Sequence, residues 1–276
     1  MEQFPSQPSV ESEANYEGNA TELLFGRLHT EKIRKQVIDL LFQEEQSRIG
    51  TFIESLETDG DGNVVFDDSG EPKIKERKPF IPLTREEVEK QYEDTLKKIE
   101  SSTEIEFNNA PHHLPTQERM IVGAVAPWSG KPFTPKQMSI IEAHEKGHEM
   151  RPYIGEFFEE YFHKGFDFDI VPYGDTESAI FKKALPPEEQ EKTTEEIREM
   201  FFDYLKSPTE LAERMSQLKN YFGMKGEDQF TAEHLEYARK HYVADTDMDN
   251  GMTQFFQAIT PEKAEAFVQI VNSTGI

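Results

Sequence analysis

The pattern most able to do chemistry in this chain is a pair of histidines four residues apart. His144-Glu145-Lys146-Gly147-His148 fits the motif H-E-x-x-H. On a helix, residues i and i+4 lie on one face, so both imidazoles would reach one zinc ion. Glu145 would then project near the metal without binding it. There its carboxylate can take a proton from zinc-bound water and pass it to a leaving amine.

The residues before the motif predict the elements that would position it. Thr134-Pro-Lys-Gln137 fits a capping box with proline at the first helical position, which marks a helix start. Met138 and Ile141 then share a stripe with both histidines, so we expect the imidazoles to face inward. The apolar run Met120–Ala126 predicts a strand a short loop upstream. The alternative interpretation is a helix with two half-buried histidines and no metal.

A strand followed by an H-E-x-x-H helix resembles the core of zincin metalloproteases, in which the strand edge pairs with the substrate backbone. Ser207-Pro-Thr-Glu-Leu-Ala-Glu-Arg214 further resembles the second ligand helix of gluzincins, especially the minimal zincins of phages and mobile elements. The resemblance covers Met120 to Arg214. It implies that Glu210 is the third zinc ligand, that Ala212 permits close helix packing, and that Glu145 is the general base in peptide-bond hydrolysis.

The residues alone leave the third ligand open. Ser207 to Glu210 is also a capping box, in which the Glu210 carboxylate would only accept a hydrogen bond from the backbone N–H of residue 207. Arg151 and Ile154 stand where the extended metzincin motif needs Gly and His, which excludes that branch. Other candidate ligands follow the histidines: Glu156, Glu159, Glu160, His163, Asp167 and Asp169. Three tyrosines are candidates for stabilising an oxyanion: Tyr153, Tyr161 and Tyr204.

A second acidic segment, Glu57 to Asp68, resembles a calcium-binding EF-hand loop. Four residues fit positions 3, 5, 6 and 8 of that loop: Asp59, Asp61, Gly62 and Val64. The preceding residues, Phe52–Leu56, would supply the incoming helix, although Ser69–Pro72 cannot begin the exiting one. The alternative is an acidic turn leading into a hairpin of Asn63–Phe66 against Lys73–Arg77. A Ca²⁺ ion at Asp59 and Asp61 is therefore a second candidate cofactor besides Zn²⁺.

Composition excludes several classes of function. The chain has 30 Lys+Arg against 54 Asp+Glu, a net charge of −24, which opposes binding to nucleic acid and favours a basic polypeptide substrate or protein partner. The absence of cysteine excludes disulfides, Cys-ligated metals and thiol catalysis. No apolar run approaches a membrane span, and Met1–Pro8 lacks a signal-peptide pattern. We expect a cytoplasmic or virion-associated protein.

The predicted fold class is α+β and helix-dominated, with a zincin-like core, a small sheet from segments near 63–77 and 120–126, and flanking helices. The first long helix is expected to begin near Thr30 and to continue through Leu56. Further helix starts are predicted at Thr84, Thr193, Ser207, Thr231 and Thr260. Four regions follow: a flexible acidic tail (1–22), an N-terminal helical region with a β-hairpin (23–114), the zincin-like core (115–225) and a C-terminal helical extension (226–276).

Two functions fit these features. The first is a zinc-dependent peptidase that hydrolyses a peptide bond through a zinc-bound water. The second is a phage-type structural or assembly protein whose zincin-like core is non-catalytic or binds metal only structurally. A peptidase needs an open water position at the metal with Glu145 aimed at it, whereas a fourth protein ligand would indicate the structural role. The sequence does not specify the oligomeric state.

Overall fold

The computed structural model describes residues 9–14, 16–59, 63–67, 69–102, 104–108, 119–123, 131–150, 191–249, 251–273 and 276. Helices dominate this part of the chain, and the strands form small sheets, which confirms the α+β, helix-dominated class. The chain divides into two compact units, one formed by Met1–Gln36 and Thr95–Ile276 and the other by Val37–Asp94. No helix in the described part is long and apolar enough to cross a membrane.

Within the described chain, the strands lie before residue 124 and the later elements are helices. The helices are α1 (Val10–Glu13), α2 (Ala20–Leu28), α3 (Glu31–Ser47), α4 (Arg85–Ser102), α5 (Pro135–Met150), α6 (Thr194–Lys206), α7 (Pro208–Tyr221), α8 (Ala232–Thr246), α9 (Met252–Ala258) and α10 (Ala264–Ser273). The strands are β1 (Phe52–Leu56), β2 (Ile74–Pro79), β3 (Glu104–Asn108) and β4 (Arg119–Gly123).

The strands pair as two separate two-stranded sheets, which corrects the single small sheet expected from the sequence. β1 and β2 are antiparallel, with Phe52 opposite Pro79 and an irregularity between Ser55 and Leu56. β3 and β4 are parallel and in register from Glu104 opposite Arg119. A strand was predicted at Met120–Ala126, and β4 confirms it, but its partner β3 was not predicted.

The long first helix was predicted to reach Leu56, and this is wrong. Helix α3 ends at Ser47, and Gly50 adopts a φ of 87°, a left-handed conformation that terminates helices. Phe52–Leu56 therefore forms strand β1, and β1 is the partner of β2. The segment from Asn63 to Phe66 was expected to pair with Lys73–Arg77. It forms only two isolated β-bridges, Thr58 to Val64 and Phe66 to Pro72.

Because Phe52–Leu56 forms strand β1, the incoming helix that an EF-hand needs is not there. The EF-hand prediction is therefore wrong. The Asp59 carboxylate accepts a hydrogen bond from the backbone N–H of Asn63 at 2.9 Å, which is the geometry of a local acidic turn. Asp61 lies outside the described residues. A Ca²⁺ ion at Asp59 and Asp61 consequently stays a prediction, and the helix expected before the loop does not support it.

The N-terminal segment contains more regular structure than its composition indicated. Residues 1–22 were predicted to form a tail, but α1 lies within this range and α2 begins at Ala20. The Asn19 side chain caps α2 by accepting a hydrogen bond from Thr21 N at 2.9 Å. Leu23, Leu24 and Leu28 are buried from the first turns of α2 onward, so packing stabilises this short helix.

Most predicted helix starts are confirmed by their hydrogen bonds. Thr84, Thr134 and Thr193 each accept from the backbone N–H three residues on, and the Glu or Gln there accepts from the threonine N–H in return. Thr231 caps α8 with His234 in place of Glu or Gln. Thr260 departs from the prediction, because a turn separates it from α10.

Helix α7 is buried over almost its whole length, from Glu210 to Tyr221. A helix that is enclosed on all sides and still carries charged and amide side chains must satisfy them internally. Lys219 Nζ accordingly donates to the backbone oxygen of Ile276 at 2.8 Å, and Ser216 Oγ accepts from Arg27 of α2 at 3.0 Å. Helices α2 and α6 pack against α7, and α5 packs against both α2 and α7. The face of α7 toward α5 carries Glu210.

Candidate metal centre

Three predicted metal ligands lie together between α5 and α7. His144 and His148 project from α5, one turn apart, and their Nε2 atoms are 3.1 Å from each other. Glu210 Oε2, from α7, is 3.4 Å from each of these nitrogens. Within the described ranges, this is the group of His, Cys, Asp and Glu side chains whose ligand atoms converge closely enough to hold a metal ion.

The spacing of the three atoms matches a tetrahedral metal site. Bonds of about 2.0–2.1 Å at tetrahedral angles place neighbouring ligand atoms about 3.3–3.4 Å apart. The observed separations of 3.1, 3.4 and 3.4 Å lie close to that value. Two nitrogens and one carboxylate oxygen could therefore bind one ion with little movement, and a fourth position would remain for another ligand.

The start of α7 excludes one of the two roles that the sequence left open for Glu210, the capping role. Ser207 Oγ caps the helix by accepting from the backbone N–H of Glu210 at 3.3 Å. The reciprocal bond is absent, because the Ser207 N–H donates to the Tyr204 carbonyl at 3.0 Å. The Glu210 carboxylate is thus not used in capping and faces the histidines. Ala212 is fully buried two residues later, as close helix packing requires.

Arg214 holds Glu210 from the other side, a contact that was not predicted from the sequence. Its Nη2 lies 2.6 Å from Glu210 Oε1, and both side chains are almost completely buried. Burial opposes ionisation of Glu210, but the charge of Arg214, followed by that of His144, outweighs it and holds the pKa of the carboxyl well below its usual range. Glu and Arg at i and i+4 on a helix is the signal that could have revealed this pair.

The surroundings of His144 favour a positive charge at the site. Burial of its ring lowers the pKa, but the charge of Glu210 and a hydrogen bond to that carboxylate more than compensate, and the pKa of His144 is raised to about 9. Glu145 and Glu213 contribute in the same direction. The Nδ1 atom of His144 is buried and has no hydrogen-bond partner among the described residues. The negative charges of Glu210, Glu145 and Glu213 around His144 also favour a bound cation.

Glu145 and Tyr204 lie near the three converging atoms without joining them. The charge of Glu145 raises the pKa of both His144 and Tyr204, so its carboxylate is close to both. Tyr204 as a whole is 46% exposed, yet its hydroxyl end lies beside Glu210. Loss of hydration there, and then the charge of Glu210, raise the pKa of Tyr204 well above its usual range.

Comparisons of the chain with protein-family models, with curated proteins and with solved structures find no match in any of the three. The resemblance to zincins therefore depends on the residues of the motif and on their geometry. The alternative third ligands lie outside the described residues: Glu156, Glu159, Glu160, His163, Asp167 and Asp169. Tyr153 and Tyr161 also lie outside them, so Tyr204 is the tyrosine candidate that can be placed beside the site.

Gly147, between the two histidines, permits a close approach of α7 to α5. A Cβ atom at this position would lie 1.8 Å from Glu213 Oε2, and Glu213 is only 1% exposed. The Glu213 carboxylate therefore rests directly against the α5 backbone. The glycine at position 147 is thus required by the close packing of α5 and α7.

We expect Gly147→Ala to destabilise the fold by about 1–3 kcal/mol, because the new methyl group displaces a buried carboxylate from an overpacked contact. Gly26→Ala is the matched control: it also lies inside a helix, but no atom lies within 4 Å of the added Cβ. That control should gain about 0.5–1 kcal/mol from the higher helix propensity of alanine. Urea unfolding measures both changes. Equal effects of the two substitutions would contradict the close packing at Gly147.

Proposed function

We propose that the chain is a zinc-dependent peptidase with a zincin-like core. The observation that supports this most strongly is the convergence of His144 Nε2, His148 Nε2 and Glu210 Oε2 at the spacing of a tetrahedral metal site. The order of elements agrees with the proposal, because strand β4, the H-E-x-x-H helix α5 and the glutamate helix α7 follow one another along the chain.

Zinc fits this donor set at the observed, near-tetrahedral spacing. Two imidazole nitrogens and one carboxylate oxygen form the three-ligand set of many catalytic zinc sites, which leave one position open. Calcium and magnesium prefer sites made entirely of oxygen ligands, and the chain has no cysteine for a softer metal. Arg214 supports the site by fixing Glu210 Oε1, so that Oε2 remains directed at the histidines.

The chain's own residues have distinct roles in the proposed reaction. Zinc, when bound, supplies Lewis-acid activation of water and of the substrate carbonyl group. Glu145 accepts a proton from the attacking water and transfers it to the leaving amine. Tyr204, whose hydroxyl end lies beside Glu210, would donate a hydrogen bond to the developing oxyanion.

The proposed substrate is a basic polypeptide. A net charge of −24 attracts cationic chains and repels acidic ones during encounter. By the resemblance to zincins, the substrate backbone would pair with the edge of β4 that β3 does not occupy. Such pairing uses backbone groups and leaves the choice of side chains to other parts of the site.

Protein purified without chelators is expected to contain about one zinc ion per chain, because three preformed ligands bind zinc tightly near neutral pH. Elemental analysis measures the metal, and cleavage of a lysine- and arginine-rich polypeptide library measures activity. The double variant with alanine at His144 and His148 is the control for the site. Absence of zinc together with no uptake on titration would exclude the proposal. One tightly held zinc without hydrolysis would instead favour the structural or assembly protein.

A further inference from the structure

Three polar side chains of α7 form a buried row that begins at the candidate metal centre. Glu210, Arg214 and Gln217 are spaced four and three residues apart, so they share one face of the helix. All three are buried. Buried polar groups need partners within the protein, and the first two supply each other through the ion pair of Arg214 with Glu210. The third, Gln217, has its partner on another helix.

That partner is Tyr242 of α8, which is completely buried. The Tyr242 hydroxyl accepts a hydrogen bond from Gln217 Nε2. Burial raises the pKa of Tyr242 to about 12, and the hydrogen bond from Gln217, followed by the charge of Arg214, opposes this rise. The Arg214 guanidinium is therefore close to the Tyr242 hydroxyl as well as bonded to Glu210. The polar row thus extends from a candidate metal ligand to α8.

Helix α8 also contacts α5, the helix that carries both histidines. Gln137 of α5 donates from Nε2 to the backbone oxygen of Thr246, the last residue of α8, at 3.1 Å. Met248, two residues further on, belongs to the same buried apolar cluster as Ala143, which directly precedes His144. Because α8 contacts both helices that carry candidate ligands, it can fix the position of one relative to the other.

We propose that Gln217 and Tyr242 are positioning residues of the metal centre, which hold Arg214 and through it direct Glu210 Oε2 at the two histidines. An arginine side chain has many rotamers, and contacts on both sides of the guanidinium restrict it to one. A fixed guanidinium on Glu210 Oε1 in turn fixes the carboxylate. The inference rests on the proposed binding of zinc and does not depend on whether the site hydrolyses peptides.

Tyr242→Phe is expected to weaken zinc binding about tenfold, the lower end of the range for groups that support a metal ligand. The substitution keeps the buried ring but removes the acceptor of the Gln217 amide and one side of the enclosure around Arg214. Gln217→Met, which keeps the length of the side chain without its polar atoms, should act in the same direction. Competition with a chromophoric chelator measures the zinc affinity of each folded variant.

Tyr221→Phe is the matched control. Tyr221 is also a buried tyrosine between α7 and α8, and its hydroxyl donates to Asp245 Oδ2 at 2.5 Å. This variant loses a hydrogen bond between the same two helices, but two turns away from Arg214, so zinc affinity should be unchanged. Equal affinities of Tyr242→Phe and Tyr221→Phe overturn the positioning role. If the unmodified chain itself takes up no zinc, the proposed metal centre is overturned and this inference with it.

A double-mutant cycle tests the connection without metal. Urea unfolding in the presence of a chelator gives the stability of Tyr242→Phe, of Glu210→Gln and of the variant with both changes. The two losses should not add, because both substitutions act on the same guanidinium. The cycle of Tyr221→Phe with Glu210→Gln should be additive. Additive losses for Tyr242 and Glu210 overturn the connection through Arg214.

Discussion

Replacing Glu210 by Gln is expected to weaken zinc binding by more than about 100-fold. Changing a residue that only hydrogen-bonds a metal ligand already costs up to about that factor, and Glu210 is proposed to bind the metal itself. A neutral amide is a poor zinc ligand, and the substitution removes the carboxylate that, among the described residues, lies against both histidines. Competition with a chromophoric chelator measures the affinity directly. Thermal unfolding with and without zinc provides a second readout, because an ion that binds only the folded state stabilises it.

The same substitution is expected to destabilise the metal-free protein as well. Arg214 is buried beside Glu210, and the amide leaves its charge without the compensating carboxylate. We expect a loss of about 3 kcal/mol, the lower end of the range for breaking a buried ion pair, because the amide oxygen still accepts a hydrogen bond. Denaturant unfolding in the presence of a chelator measures this effect separately from metal binding.

Glu196→Gln is the matched control for Glu210→Gln. Both glutamates occupy the third position of a helix after a Ser or Thr cap, but the Glu196 carboxylate does accept the hydrogen bond from the N–H of its cap, Thr193, at 2.8 Å. Zinc affinity should be unchanged in this variant. If Glu210→Gln also leaves zinc affinity unchanged, the third ligand must be sought among the candidates between Glu156 and Asp169.

Glu145→Gln should lower the rate of peptide hydrolysis by about 10²–10⁴-fold while zinc remains bound, because the amide keeps the shape of the side chain but cannot accept the proton of the attacking water. Glu145 is not part of the converging ligand group, so zinc affinity should change little. Initial rates on one cleavable peptide, with zinc content measured in the same samples, separate the two effects.

Glu149→Gln provides the control for charge on the same helix. Glu149 lies four residues after Glu145 and is exposed, so its carboxylate contributes a similar negative charge without entering the site. Its removal should leave the rate nearly unchanged. Hydrolysis by Glu145→Gln at the rate of the unmodified chain would assign the proton transfer to another group.

The parts of the site that depend on local spacing were predictable from the sequence. The placement of His144 one turn before His148 on the same helix face follows from helix periodicity, and the start of α5 at Thr134 follows from its capping residues. Glu210 was different, because its two possible roles use the same residue type at the same place. The capping role is excluded by the bond from Ser207 N–H to the Tyr204 carbonyl at the end of α6, whereas the ligand role stays a prediction.

The predictions of the fold were wrong where a strand's pairing partner is distant in sequence, and where packing stabilises a helix in a segment of polar composition. The run from Phe52 to Leu56 is compatible with either a helix or a strand, and the decision depends on Gly50 before it and on β2 about twenty residues later. Helix α2 begins within a segment whose composition is polar. It is stabilised by burial of Leu24 and Leu28 and by Arg27, whose guanidinium reaches the Met224 carbonyl at 3.1 Å.

The burial of α7 has a consequence for how the site would receive a metal. Glu210 is buried and held by Arg214, so metal binding would not have to immobilise this side chain. His144 is nearly as enclosed, with 10% of its side chain exposed, whereas His148 is 27% exposed. The candidate centre is thus more enclosed at Glu210 and His144 than at His148, and an arriving ion would meet His148 first.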